Sequence, residues 1–217
     1  MAQTTAGIAA RKGSEVALVD EVGETTWAQF DERVNRLIHA LRAEGLAVGD
    51  TIALMVGNRR EFFEVTVAAM HTGLIVVPVN WHWVADELAY VIDDSDAKAL
   101  IVDGRFLEVA VDAVDGTHEH NTDRCPLRIV VAERAPAGFV PYEAFLAAGS
   151  ADEPVEQTTG GPMFYTSGTT GFPKGVRGAL STTGLDPVLI PLIIDTINGL
   201  LQIPADGVTL LLSLIHI

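Results

Sequence analysis

Apolar residues recur along this chain in two rhythms, and the rhythm changes where glycine appears. Residues 15–20 form a short apolar run, and Glu21-Val22-Gly23-Glu24 is a turn signal. With Thr25 the two predict a β-hairpin. Phe30, Val34, Leu37, Ile38 and Leu41 then fall at helical spacing, so a helix buries one face there. Thr26 predicts its N-cap, Gln29 completes a capping box, and Gly45 ends it. Residues 51–56 are continuously apolar and predict a buried strand. A second capping box, Asn58 with Glu61, opens a helix through Phe62, Phe63, Val65, Val67 and Met70 that ends at Gly73. Residues 74–79 predict another buried strand. Strand, helix and strand make a βαβ unit, with neighbouring parallel strands and a right-handed crossover. This section reads as scaffold.

The alternation continues. Residues 85–94 predict a helix through Leu88, Val91 and Ile92, residues 99–103 a strand and residues 105–113 a helix. Residues 127–131 predict a strand, 135–138 a loop, and 141–148 a short helix through Tyr142, Phe145 and Leu146. The acidic, apolar-poor connector 150–161 marks no domain boundary. Further on, 175–180 predict a strand and 185–201 a helix. A turn at 204–207 and a strand at 208–211 follow, while residues 1–14 are expected to be a loosely held start. The expected fold is therefore α/β, a layered sheet with helices on its faces.

Composition narrows the function. A chain of 217 residues, 48% hydrophobic and 20% charged, is long enough for one globular domain with a substantial core. A net charge of −15 argues against nucleic acid, whose phosphates need Lys and Arg. It does not argue against ATP, which local donors hold. Cys125 is the one cysteine, which excludes an internal disulfide and a Cys-based zinc site, and it reads as an ordinary loop thiol. Residues 1–13 lack the apolar segment of a signal peptide. The most apolar stretch, 185–203, is interrupted by Asp186, Pro187, Pro191 and Asp195, which argues against a membrane span. The expected location is cytoplasmic.

Two loops carry residues that sometimes bind ligands. Asn80-Trp81-His82-Trp83 reads as rings packed on a sheet edge, with a binding surface as the alternative. His118-Glu119-His120 lies in the weakly patterned stretch 115–126, and with no third ligand in view it reads as a solvated loop rather than a metal site.

The chemistry concentrates in residues 164–175, FYTSGTTGFPKG. An apolar lead-in (Met163, Phe164, Tyr165) runs into Thr166, Ser167, Gly168, Thr169, Thr170 and Gly171, then Phe172, Pro173, Lys174 and Gly175. A strand that stops and turns fits this pattern. Glycines let a ligand approach main-chain N–H groups, and inward-turned N–H groups bind anions. Hydroxyls and an ammonium group add donors suited to phosphate oxygens. The pattern is not the common P-loop, because Lys174 is followed by Gly175 and not by Ser or Thr. A plain Ser/Thr/Gly linker would need neither the apolar lead-in nor Pro-Lys-Gly.

The run YTSGTTGFPKGV resembles the phosphate-binding signature of the adenylate-forming enzymes: acyl-CoA synthetases, the adenylation domains of peptide synthetases and firefly luciferase. The match is complete over residues 165–175. The resemblance implies ATP-dependent activation of a carboxylate to an acyl adenylate, followed in most members by transfer to a thiol. It implies that residues 166–174 wrap the β- and γ-phosphates, with Lys174 as the catalytic charge and Thr166 near Mg2+. It also implies ATP, a carboxylic acid and CoA as substrates of the intact enzyme. Asp31-Glu32-Arg33-Val34-Asn35-Arg36-Leu37 is similar to the family's opening helix. Residues 79–99 resemble fatty acyl-CoA synthetases, which points to a fatty acid. Arg177-Gly178-Ala179 departs from the family pattern after Gly-Val.

In the family a Pro-x-(Tyr/Phe)-His segment follows the strand near Val208, and most of the enzyme lies beyond it. This chain ends Leu212-Ser213-Leu214-Ile215-His216-Ile217, which resembles a translated transposon end used in sequencing libraries. His216 lacks the family's context and carries no role over. The expectation is a partial N-terminal AMP-binding domain over residues 1–211 and a non-native tail over 212–217, with the fragment inactive alone and poorly soluble. The alternatives are another adenylate former, such as an aryl-CoA ligase or a peptide-synthetase adenylation domain, and a non-catalytic truncated polypeptide.

Overall fold

The structure, a computed structural model, describes residues 5–166, 173–177, 196, 200 and 207. Apart from those last three positions, the elements expected over 185–211, the tail 212–217 and the apolar surface expected there lie outside the described residues.

The chain opens with helix α1 (Thr5–Lys12), where a loosely held start was expected. Its Ala-rich sequence favours helix. The turn that follows is then tied down by the helix α2 (Trp27–Ala43): Ala28 N–H donates to Gly13 O and Trp27 N–H to Glu15 O, both at 3.0 Å. Between them, β1 (Val16–Asp20) and β2 (Gly23–Thr26) form the expected antiparallel hairpin. The capping box of α2 forms as expected. Gln29 N–H donates to Thr26 Oγ1 at 3.3 Å, and Thr26 N–H donates to Gln29 Oε1 at 2.9 Å.

β3 (Thr51–Met55), α3 (Arg60–Thr72) and β4 (Ile75–Pro78) form the expected βαβ unit with parallel, adjacent strands. Gly73 ends α3 in the left-handed region at φ 73°, which favours glycine. The box expected at Asn58 and Glu61 does not cap α3. The helix starts at Arg60, and its first N–H donates to Asp20 Oδ2 on β1 at 3.0 Å. A distant carboxylate thus does the capping, and Glu61 pairs with Arg59 at 3.1 Å instead.

α4 (Ala85–Asp94) and β5 (Ala97–Asp103) follow as expected, and the helix expected from residue 105 opens with a 3₁₀ turn (Gly104–Phe106) before α5 (Leu107–Ala113). β6 (Leu127–Val131), the short β7 (Val140–Pro141) and α6 (Tyr142–Ala147) come next. β8 (Gly161–Thr166) and β9 (Lys174–Arg177) flank the phosphate signature.

The sheet has the order β7-β6-β5-β3-β4-β8-β9, parallel throughout except for the antiparallel pair β8–β9. Successive side chains alternate between its faces. Ile52, Leu54, Val76, Ile101 and Ile129 share one core with Val34, Leu37, Ile38 and Leu41 of α2 and with residues of α3 and α6. Ala53, Met55, Ile75, Val77, Leu100 and Val102 share the other with Leu88, Val91 and Ile92 of α4 and with α5. Burial on both faces is why these strands read as unbroken apolar runs. The expected α/β class is the one observed.

Two polar devices brace the first layer. Arg33 on α2 reaches buried Glu64 on α3 at 2.6 Å and Glu143 on α6 at 2.7 Å. The Glu64 carboxylate also accepts the buried Tyr142 hydroxyl at 2.8 Å. The polar face of α2 then holds the connector to β8. Arg36 donates to Gly149 O at 3.0 Å, Asn35 to Ala151 O at 3.3 Å, and Arg42 to Val155 O at 2.8 Å. An apolar-poor segment is thus fixed through its main-chain carbonyls.

Candidate functional site

The signature begins on a strand with two different neighbours. β8 pairs with β4 only through Gly161 and Pro162, opposite Ile75 and Val76. Its last four residues pair antiparallel with β9: Met163 with Arg177, Phe164 with Val176, Tyr165 with Gly175, Thr166 with Lys174. Since β8 runs parallel to β4, Thr166 lies at the carboxyl edge of the sheet. That is the edge where open α/β sheets take ligands.

Thr166 and Lys174 therefore face each other across a neck. Ser167, Gly168, Thr169, Thr170, Gly171 and Phe172 join its two sides and lie outside the described residues. Both Thr166 and Lys174 are exposed, and among the described residues Lys174 makes no ion pair. A hydroxyl is a donor type that a hard cation such as Mg2+ accepts, and an unspent ammonium suits phosphate. Gly175 has a packing role as well. A Cβ there would lie 3.2 Å from both Met163 Sδ and Tyr165 Cζ. Its absence leaves room for the Tyr165 ring across the strand pair.

Tyr165 and Pro173 are both held by α4, which sequence reasoning did not foresee. The Tyr165 hydroxyl donates to Asp94 Oδ2 at 2.6 Å, and the Tyr90 hydroxyl donates to Pro173 O at 2.8 Å. The two rings meet edge to face, 6.4 Å apart at 87°. Burial, reinforced by the Asp94 carboxylate, raises the pKa of both hydroxyls and keeps them protonated as donors. Sequence separations of 71 and 83 residues leave no local signal for either contact.

The other candidate loops resolve as packing. Trp81 stacks on Phe106 at 5.5 Å and 15°, and Trp83 packs on the second core, in line with the structural reading of that loop. The histidine pair corrects the expectation of a solvated loop. His118 and His120 are mostly buried, with side-chain exposures of 17% and 20%. His118 Nδ1 lies 3.3 Å from Asp86 on α4, and the His120 ring lies 5.5 Å from the Tyr90 ring. Asp112 and Asp115, both exposed, approach His118 so that one ligand atom of each of the three lies within 4.8 Å of the others. These acids are the third groups that the sequence left out of view, and they gather beside the His118 imidazole. Cys125 is not an ordinary loop thiol but fully buried, and burial pushes its pKa up to about 12. No helix among the described residues is long and apolar enough to cross a membrane.

Residues 6–179 match the family described as AMP-binding enzyme. The chain is 35% identical over 169 residues to a 3-oxocholest-4-en-26-oate–CoA ligase of Rhodococcus rhodochrous, covering 74% of this chain and 29% of that protein. It is 30% identical over 197 residues to a fatty acid–[acyl-carrier-protein] ligase of Streptomyces coeruleorubidus, covering 86% and 36% respectively. The inhibitor-bound N-terminal domain of FACL13 from Mycobacterium tuberculosis superposes with a TM-score of 0.68 at 30% identity, covering 79% of this chain and 42% of that one. The chain thus spans about a third of the length of the curated relatives it matches, by the 29% and 36% shares.

Proposed function

The chain belongs to the AMP-binding enzyme family, and on that premise we propose that it forms the phosphate-clamping N-terminal part of an ATP-dependent acyl-CoA synthetase acting on a fatty acid. Residues 1–211 are, on this reading, part of the AMP-binding domain. The observation that carries it is the neck: Thr166 opposite Lys174 at the carboxyl edge of a parallel sheet, on either side of the Gly-, Ser- and Thr-rich run. The relatives' names support a carboxylic acid substrate of the fatty or steroid type.

The reaction joins a carboxylate oxygen to the α-phosphorus of ATP, and the bond from that phosphorus to the bridging oxygen breaks. Pyrophosphate leaves with the electron pair. The CoA thiol then displaces AMP from the acyl carbon. Residues 166–174 would hold the β- and γ-phosphates, so they act on the leaving group. Lys174 offsets the charge that grows there, and Thr166 would face the Mg2+ that accompanies the nucleotide. Positioning and electrostatics of this kind supply most of the rate in phosphoryl and adenylyl chemistry. The chain spans about a third of the length of its curated relatives, and we predict no adenylation by the 217-residue chain alone.

The test is ATP–pyrophosphate exchange by the whole ligase. Lys174→Ala should lower the exchange rate about 10²–10³-fold, the usual effect of removing one preorganised charge or donor. Undiminished exchange would refute the clamp. Palmitate, benzoate and an amino acid compared as substrates separate the fatty reading from an aryl-CoA ligase or a peptide-synthetase adenylation domain.

A further inference from the structure

We propose that Tyr90 and Asp94 are positioning residues that fix the mouth of the phosphate loop, each holding one of its two strands. The proposal rests on the reading of residues 166–174 as a phosphate clamp.

The two residues are four apart on α4, so they lie on one face of that helix. The opposite side is anchored, since Leu88, Ala89, Val91 and Ile92 have no exposed surface and pack on the sheet. α4 is thus a fixed platform. From it, Asp94 accepts the hydroxyl of Tyr165, the residue before Thr166. Tyr90 donates to the carbonyl of Pro173, the residue before Lys174. Tyr165 pairs with Gly175, so the two anchor points bracket the Thr166–Lys174 pair, Tyr165 on its strand side and Pro173 on its loop side.

The strand pair needs such an anchor. β8 leaves β4 after Pro162, so residues 163–166 pair only with β9, which is itself exposed along its length. A two-stranded ribbon is marginal in water without something to pack on. The Tyr90 and Tyr165 rings supply that packing, and Gly175 leaves space for it. Their hydroxyls are spent on protein groups and act on the nucleotide only through where they put Thr166 and Lys174. Small displacements of a catalytic charge are costly, since a shift of about 1 Å can lower rate about 10²-fold.

The experiment compares Tyr90→Phe, Asp94→Ala and Asp94→Asn with the unmodified whole ligase, with Lys174→Ala in parallel. Tyr90→Phe and Asp94→Ala should each raise the KM for ATP about tenfold, the effect of one lost hydrogen bond to a charged or well-placed group. The KM for the acid and the melting temperature should not move. Asp94→Asn keeps an oxygen that accepts from Tyr165, and it should restore the ATP KM to within about threefold. Unchanged ATP KM in Tyr90→Phe and Asp94→Ala would overturn the proposal. So would an acid KM that rises in parallel, or an Asn variant as impaired as the Ala variant. If Lys174→Ala also has no effect, the clamp reading itself has failed. Hydrogen exchange on the whole ligase needs no activity. The amides of residues 174–177 should exchange about tenfold faster in Tyr90→Phe, and unchanged rates there would count against the anchor whatever the enzyme does.

Discussion

Replacing Glu64 with alanine should remove much of the bracing between α2, α3 and α6. The Glu64 side chain has no exposed surface. Its oxygens accept from Arg33 Nε at 2.6 Å, Arg33 Nη2 at 3.2 Å and the Tyr142 hydroxyl at 2.8 Å. Breaking a buried ion pair from one side costs about 3–5 kcal/mol, because the other charge stays buried. Arg33 keeps its fork on Glu143, at 2.7 and 3.0 Å, so the lower end of that range applies. The Tyr142 hydroxyl, on a residue only 1% exposed, is left without its acceptor. That adds about 1 kcal/mol. A total near 4 kcal/mol is a large share of a stability of about 5–15 kcal/mol. It should lower the melting temperature by about 8–16 °C in a domain of this size. Urea unfolding followed by circular dichroism reads the change directly. Tyr142→Phe alone should cost about 1.5 kcal/mol, and little or nothing once Glu64 is gone, since the hydroxyl then has no partner to lose. A Glu64→Ala loss below about 1 kcal/mol, or a Tyr142→Phe cost equal in both backgrounds, would refute the reasoning.

Asp20 and Cys125 give two further tests. The hydrogen bonds from Arg60 hold the Asp20 carboxyl well below the usual carboxylate range. The unfolded chain therefore takes up this proton first as pH falls, and the stabilisation is present above about pH 4 and lost below it. The stability gap between the unmodified protein and Asp20→Asn should narrow as pH is lowered from 6 toward 3 in urea titrations, whereas a gap independent of pH would contradict the assignment. The buried Cys125 thiol, pushed up to about 12, should resist a thiol reagent at pH 8 in the native protein and react fully in urea. Rapid native labelling would show that this part of the second core is open.

Local order decided most of the elements, and it was written in the sequence. The i, i+3, i+4 apolar spacing of α2, the Thr26–Gln29 box and the glycine after α3 act within a turn or two, so their signals sit in adjacent residues. The phosphate signature was legible for the same reason, as a run of glycines, hydroxyls and one lysine. Tertiary structure decided whatever depends on groups far apart in the chain. Asp20, forty residues away, caps the first turn of α3 through the Arg60 N–H, where a local box of Asn58 and Glu61 was expected. The order β5-β3-β4-β8 set the start of the strand that leads into the signature beside β4, and α2 fixed the connector before it. Tyr90 and Asp94 looked like ordinary helix residues until α4 came to lie beside β8 and β9. A hydrogen bond carries no periodicity along the chain when its partners are brought together only by packing, and that is why the neck's anchors had to be seen in three dimensions.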